Sequence, residues 1–171
     1  MESQYSPHIM KMILVGNTGV GKTCLIESYL KKHFEENTPT TLSPNYSTKQ
    51  ITKSDGSKIT MRIWDTAGQE KYQALSQLFF RNSDVAIFCF IAGDRESMLA
   101  LHEWINMVKN ESPLCKLIFV GTKSDLIEKN ESENRIRDSE AEFQQYQSPL
   151  IFLASSKTGY NVENVFRAAC E

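Results

Sequence analysis

The chain of 171 residues has little of what would place it in a membrane, outside the cell or on a polyanion. Its longest apolar run, Val85–Ala92, is far too short to span a bilayer and reads as a buried strand. The opening residues, Met1-Glu2-Ser3-Gln4-Tyr5-Ser6-Pro7, contain no apolar signal core, and Glu2 stands where N-myristoylation requires glycine. Cys24, Cys89, Cys115 and Cys170 are far apart, with no Cys-x-x-Cys and no histidine cluster. That spacing argues against a metal site or disulfide framework and for buried, reduced thiols in a cytoplasmic protein. Basic residues are not in excess: 19 Lys and Arg face 21 Asp and Glu, a net charge of −2, so nothing calls for nucleic acid or a polybasic membrane contact. Internal repeats, low-complexity segments and a second domain are also missing. A 40% hydrophobic, 23% charged chain of this length is expected to form one globular domain with a full core.

What is present is an alternation. Met12–Val15, Val85–Ala92, Leu117–Val120 and Leu150–Ala154 are continuously apolar, as strands buried on both faces of a parallel sheet are. Helical spacing separates them. It is carried by Leu25, Ile26, Tyr29 and Leu30, then by Met98, Leu101, Trp104, Ile105 and Val108 behind a possible N-cap at Asp94. Ser139-Glu140-Ala141-Glu142 predicts a capping box ahead of Phe143 and Tyr146, and Val162, Val165, Phe166 and Ala169 open a last helix after Gly159. Tyr46–Lys53 and Lys58–Trp64 flank the turn signal Ser54-Asp55-Gly56-Ser57, which predicts a hairpin and one antiparallel edge. Glu128–Arg137, polar except for Ile136, predicts a solvated surface loop.

Directly after the first apolar run the chain reads Gly16-Asn17-Thr18-Gly19-Val20-Gly21-Lys22-Thr23, the pattern G-x-x-x-x-G-K-[ST] between a strand and a helix. Glycines there allow backbone N–H groups to turn inward as an anion nest, and the following helix points its positive end at the same anion. Lys22 would add a point charge on the β- and γ-phosphates, and Thr23 a hydroxyl for Mg²⁺. This predicts a P-loop NTPase. A second constellation, Asp65-Thr66-Ala67-Gly68-Gln69-Glu70, follows another strand. Asp65 can serve the Mg²⁺ shell, Gly68 can bring an N–H to the γ-phosphate, and Gln69 can orient a water.

With Gly121-Thr122-Lys123-Ser124-Asp125-Leu126 and Ala154-Ser155-Ser156-Lys157-Thr158-Gly159, these motifs make the chain resemble a small GTPase of the Ras superfamily. Trp64, Leu78-Phe79-Phe80-Arg81 and Trp104 make it most similar to Rab-type members. The resemblance runs from Lys11 to Cys170. It implies a small G domain: a mostly parallel six-stranded sheet with one antiparallel edge strand and helices on both faces, over residues 9–171 behind an N-terminal extension 1–8. It also implies GTP or GDP held by Asn17, Thr18, Gly19, Val20, Gly21, Lys22, Thr23 and Cys24, by Phe34 and Gly68, and by Thr122, Lys123, Asp125, Ser155, Ser156 and Lys157. Asp125 would accept from guanine N1–H and N2–H₂, donors that adenine does not present there. Lys123 would lie along the base and Phe34 would stack on it. The Ser156 N–H would meet guanine O6.

Thr41, with Thr40 as its neighbouring alternative, falls where the family's switch threonine joins Thr23 and Asp65 on Mg²⁺. Gln69, Lys22 and Thr41 would carry hydrolysis. No arginine occurs between Phe34 and Tyr46, so intrinsic turnover should be slow, about 10⁻⁴–10⁻² per second, and should need an activating protein. Exchange factors and effectors are implied through the switch segments of a monomer. Lipid anchorage would require a tail beyond Ala169-Cys170-Glu171, where the last helix is expected to be cut short, and would place a longer form on the cytosolic face of an endomembrane.

The departures are specific. Leu42-Ser43-Pro44-Asn45-Tyr46 replaces the Ile-Gly-Val-Asp-Phe run of Rab proteins, and Pro44 fits only an edge strand. Thr122 stands where Ras and Rab proteins carry Asn and Rho proteins Thr; Thr18 is a Rab-like choice where Ras has Gly. Ala92-Gly93-Asp94 replaces the usual Tyr-Asp-aliphatic run. A Rho-like or divergent Ras-family signalling protein, a nucleotide-bound scaffold with little hydrolysis, and a P-loop ATPase or kinase are the competing readings.

Overall fold

The structure is a computed structural model, and it describes residues 8–39, 41, 45–66, 73–147 and 149–171. In chain order the elements are β1 (His8–Val15), α1 (Lys22–Lys31), β2 (Asn45–Thr52), β3 (Lys58–Asp65), α2 (Gln73–Phe80), β4 (Val85–Ile91) and α3 (Arg95–Leu99). Then come α4 (Leu101–Glu111), β5 (Lys116–Thr122), α5 (Ser132–Phe143), β6 (Leu150–Leu153) and α6 (Val162–Cys170). They build a six-stranded sheet in the order β2-β3-β1-β4-β5-β6. All neighbours are parallel except β2, which runs antiparallel to β3 with Asn45 opposite Asp65 and Thr52 opposite Lys58.

Side chains along each inner strand alternate between two cores. Met12 and Leu14 of β1 pack with Leu25, Tyr29, Val165 and Phe166 on the face covered by α1 and α6. Ile13 and Val15 pack with Phe88, Trp104, Phe119 and Phe143 on the other face. Burial on both faces explains why these strands are continuously apolar. From β1 the chain passes to β2 and β3 on one side and then crosses over to β4 on the other, which makes the C-terminal end of β1 the switch point where ligands of such sheets bind. The P-loop starts there. His8 already pairs with Ile59, so the first strand includes the last residue of the expected extension. No helix among the described residues is long and apolar enough to cross a membrane.

The hairpin closes as its turn residues predict: Lys53 N donates to Ser57 O at 2.8 Å, and the Asp55 carboxylate accepts from both Ser57 N–H and Oγ–H. Asp94 does cap a helix, accepting from Glu96 N at 3.1 Å and Ser97 N at 3.5 Å.

Two expectations fail together. Glu128–Arg137 is largely helical rather than a loop, because a 3₁₀ turn at Lys129–Glu131 leads into α5 at Ser132. Ser139 therefore lies inside a helix and caps nothing; its Oγ donates to Arg135 O at 2.8 Å, one turn back. The charged segment helps its own helix through i,i+4 pairs, Glu131 with Arg135 and Glu133 with Arg137.

Candidate nucleotide-binding site

The P-loop conformation is available only to glycine at its bends. Gly16 has φ +150°, and a Cβ built there would lie 2.3 Å from the Cys89 carbonyl oxygen on β4. Gly21 has φ +99° and is the N-cap of α1 without a side-chain cap, so the first turn of α1 presents its amides at the loop. Lys22, almost fully buried, folds back over the loop: Nζ donates to Gly16 O at 2.7 Å and Asn17 O at 3.0 Å.

Beside it three oxygen-bearing side chains converge from three elements. Thr23 Oγ1 of α1 donates to Asp65 Oδ2, at the end of β3, over 2.6 Å. Thr41 Oγ1 lies 2.8 Å from Thr23 Oγ1 and 3.4 Å from Asp65 Oδ2. Burial pushes the Asp65 carboxyl above the usual carboxylate range, against the opposing influence of the Thr23 bond, the Lys22 charge and the Thr41 bond. Its second oxygen, Oδ1, is buried with no hydrogen-bond partner among the described residues. A buried, underused carboxylate flanked by two hydroxyls is a hard oxygen donor set of the kind Mg²⁺ takes. No group of three His, Cys, Asp or Glu suited to a metal occurs among the described residues. The donor set fits Mg²⁺ and not a softer metal.

Lys22, Thr23 and Thr41 line one cavity of about 430 Å³, and Asp65 meets it through its bonds to the two threonines. Thr18, Gly19, Gly21, Lys22, Thr23 and Cys24 form its floor, and Phe34, Thr38 and Thr41 one wall; Thr122, Lys123, Asp125, Ser156 and Lys157 form the opposite wall. The second wall is built by hydrogen bonds. Lys123, in the left-handed region at φ +55°, sends Nζ to Gly19 O at 2.9 Å, so its stem crosses the cavity. Asp125 is oriented by Ser155, whose Oγ donates to Oδ1 at 2.7 Å while accepting from Thr158 N at 3.2 Å. Ser124 N donates to Ala154 O at 3.1 Å and ties the loop after β5 to that after β6.

Of the expected contacts, Asn17, Val20 and Ser155 do not line the cavity; they support it from behind. Val20 and Ser155 are buried. Gly68, Gln69 and Thr40 lie outside the described residues. Two further roles carry no local sequence signal. Thr122 Oγ1 reaches Val20 O at 2.5 Å and Phe90 O at 2.9 Å, donating to one at a time and fastening the P-loop to β4 and β5. Asn17 Oδ1 accepts from Trp104 Nε1 at 2.7 Å, a contact across 87 positions with no local signal.

The model of the Ras family matches residues 11–171, which takes in the whole of this site. The chain is a Ras-family GTPase. Among its relatives it is 31% identical over 166 residues to Ras-related protein Rab-24 of Dictyostelium discoideum, an alignment covering 95% of this chain and 79% of that one. It is 31% identical over 159 residues to human Ras-related protein Rab-30, covering 92% and 76%, and 30% identical over 167 residues to Dictyostelium Rab-2B, covering 96% and 80%. The P-loop NTPase fold and family membership make this Ras-family protein a nucleotide-binding switch regulated through its switch segments.

Proposed function

We propose that this GTPase binds GTP and GDP with Mg²⁺, hydrolyses GTP slowly, and acts in Rab-like membrane traffic. The observation that carries the switch reading is the Thr23–Thr41–Asp65 cluster, because it joins the P-loop helix to the segment after α1 through side-chain oxygens alone. Bound Mg²⁺ would neutralise charge between the β- and γ-phosphates. Thr23, Thr41 and Asp65 would hold it, and Lys22 would place its ammonium on the same phosphates. The Thr41 N–H would meet the γ-phosphate, so loss of that phosphate would free the segment from one anchor. Asp125, braced by Ser155, would select guanine through N1–H and N2–H₂, with Lys123 along the base, Phe34 stacked on it and the Ser156 N–H at O6. Gln69 would orient the attacking water.

The Rab-like part rests on the relatives and on a cluster of aromatic rings. Tyr46 lies 4.7 Å from Trp64, and Trp64 5.6 Å from Phe79, between ring centroids. Tyr46 is 52% exposed and Leu78, which precedes Phe79 in α2, 59%, a partly apolar surface between β2, β3 and α2 suited to effectors and to exchange and activating proteins. The protein would be cytoplasmic and work on the cytosolic face of an endomembrane. Chromatography of the nucleotide released on denaturing the purified protein tests the chemistry: guanine nucleotide is expected, and adenine nucleotide would refute it. Fractionation of cells expressing the tagged full-length protein tests the trafficking role. Recovery with endomembranes in the triphosphate state is expected; an unchanged cytosolic distribution in both nucleotide states would refute it.

A further inference from the structure

Trp104 is the fourth residue of α4, 1% exposed, among the core residues of the sheet face opposite α1. A buried indole N–H needs an acceptor. Here the acceptor is not a carbonyl of a neighbouring helix or strand but the side chain of Asn17, inside the P-loop, at 2.7 Å. The main-chain carbonyl of the same Asn17 accepts from Lys22 Nζ at 3.0 Å and from Val20 N at 3.4 Å. Asn17 is therefore held on both sides, by α4 through its amide and by the phosphate-binding lysine through its backbone. Thr18 and Gly19 beyond it are exposed, so packing does little to fix this half of the loop. The other side of the indole meets the Phe80 ring edge-on, with centroids 6.3 Å apart; Phe80 is the last residue of α2.

We infer that Trp104 is a positioning residue for the P-loop, acting through Asn17 to hold the Asn17 carbonyl against Lys22 and so to slow nucleotide release. The inference rests on the guanine-nucleotide reading above. In water the indole hydrogen bond has a close competitor, so its removal should change the rate by about the factor that one neutral hydrogen bond carries, roughly fivefold.

Release of labelled GDP into excess unlabelled GDP, from the full chain with Mg²⁺ present, measures it. Trp104→Phe and Asn17→Ala should each release GDP roughly fivefold faster. The double variant should be no faster than either, because both remove the same contact. Val108→Ala, which opens a cavity on the same buried face of α4 away from the P-loop, should lower the melting temperature and leave release at the parental rate. Should Trp104→Phe fail to fold, Asn17→Ala with Trp104 intact carries the test alone, since a tryptophan that only fills the core predicts parental release. Parental release in Asn17→Ala, effects that multiply in the double variant, or equal acceleration by Val108→Ala would overturn the inference. A parent that retains no GDP would overturn the guanine reading and this inference with it.

Discussion

Gly16→Ala is the sharpest test of the site's architecture. The added Cβ would lie 2.3 Å from the Cys89 carbonyl oxygen and 3.2 Å from Val20 Cγ2, at φ +150°. The nearest atom is main chain in a central strand, with Cys89 fully buried, so it cannot swing aside as a side-chain end would. Gly56→Ala is the control for a positive φ without overlap: φ is +83° in the hairpin turn, with no heavy atom within 4 Å of the added Cβ. The control carries only the cost of a positive φ, about 1 kcal/mol. Gly16→Ala adds steric overlap worth about 1–3 kcal/mol. The two variants should thus differ by about 2 kcal/mol, or about 4–8 °C in melting temperature for a domain of this size. Thermal unfolding of GDP-loaded and nucleotide-stripped protein reads this directly. Gly16→Ala should also weaken GDP binding, since relief of the overlap moves the loop that carries the amides, and Gly56→Ala should not. Equal melting temperatures for the two variants would refute the close approach of P-loop and β4.

The remaining predictions concern the nucleotide. Asp125→Asn should weaken GTP binding by about 3–5 kcal/mol, two charge-assisted hydrogen bonds, and shift preference toward xanthine nucleotides; equal affinity of the parent for ATP and GTP would sink this. Chelating Mg²⁺ should speed GDP release, and Thr41→Ala should weaken Mg²⁺ binding in the triphosphate state only; equilibrium titrations with GDP and a non-hydrolysable GTP analogue check both, and equal losses in the two states would contradict the switch. Gln69→Leu should hold affinity while single-turnover hydrolysis of preloaded GTP falls; a variant as fast as the parent, with and without an activating protein, removes Gln69 from catalysis.

How far the sequence reveals this protein depends on the range of each interaction. The P-loop was legible because glycine freedom, lysine charge and threonine hydroxyl act within eight consecutive positions, and Gly16 and Gly21 take the positive φ values the motif needs. The buried strands were legible because a parallel sheet covered on both faces leaves an unbroken apolar run. The start of α5 was not. A Ser-x-x-Glu pattern is compatible with a helix interior as well as a cap, and the charged first turns of α5 have no apolar stripe to set the boundary at Ser132. Loop and cap both give way to α5 for one reason: its start is set by tertiary packing that the local pattern does not carry. Thr122 read only as a substitution within a base-recognition motif, whereas its hydroxyl ties down Val20 across 102 positions.

The long-range contacts that the sequence hides share a physical cause. A loop that turns its amides toward an anion turns its carbonyls away, and buried or half-buried carbonyls need donors. Gly16 O and Asn17 O take Lys22 Nζ from α1, Gly19 O takes Lys123 Nζ from beyond β5, and Val20 O takes the Thr122 hydroxyl from the end of β5. Asn17 adds a side-chain acceptor for Trp104 of α4. The back of the loop is thus stitched to elements on both faces of the sheet. Each of these donors comes from a residue with a second position to hold: Lys22 and Lys123 along the cavity, Thr122 against β4, Trp104 against α2. Nucleotide affinity in such an arrangement is a property of the sheet's switch point as a whole. A substitution several residues from any phosphate can change it without unfolding the domain.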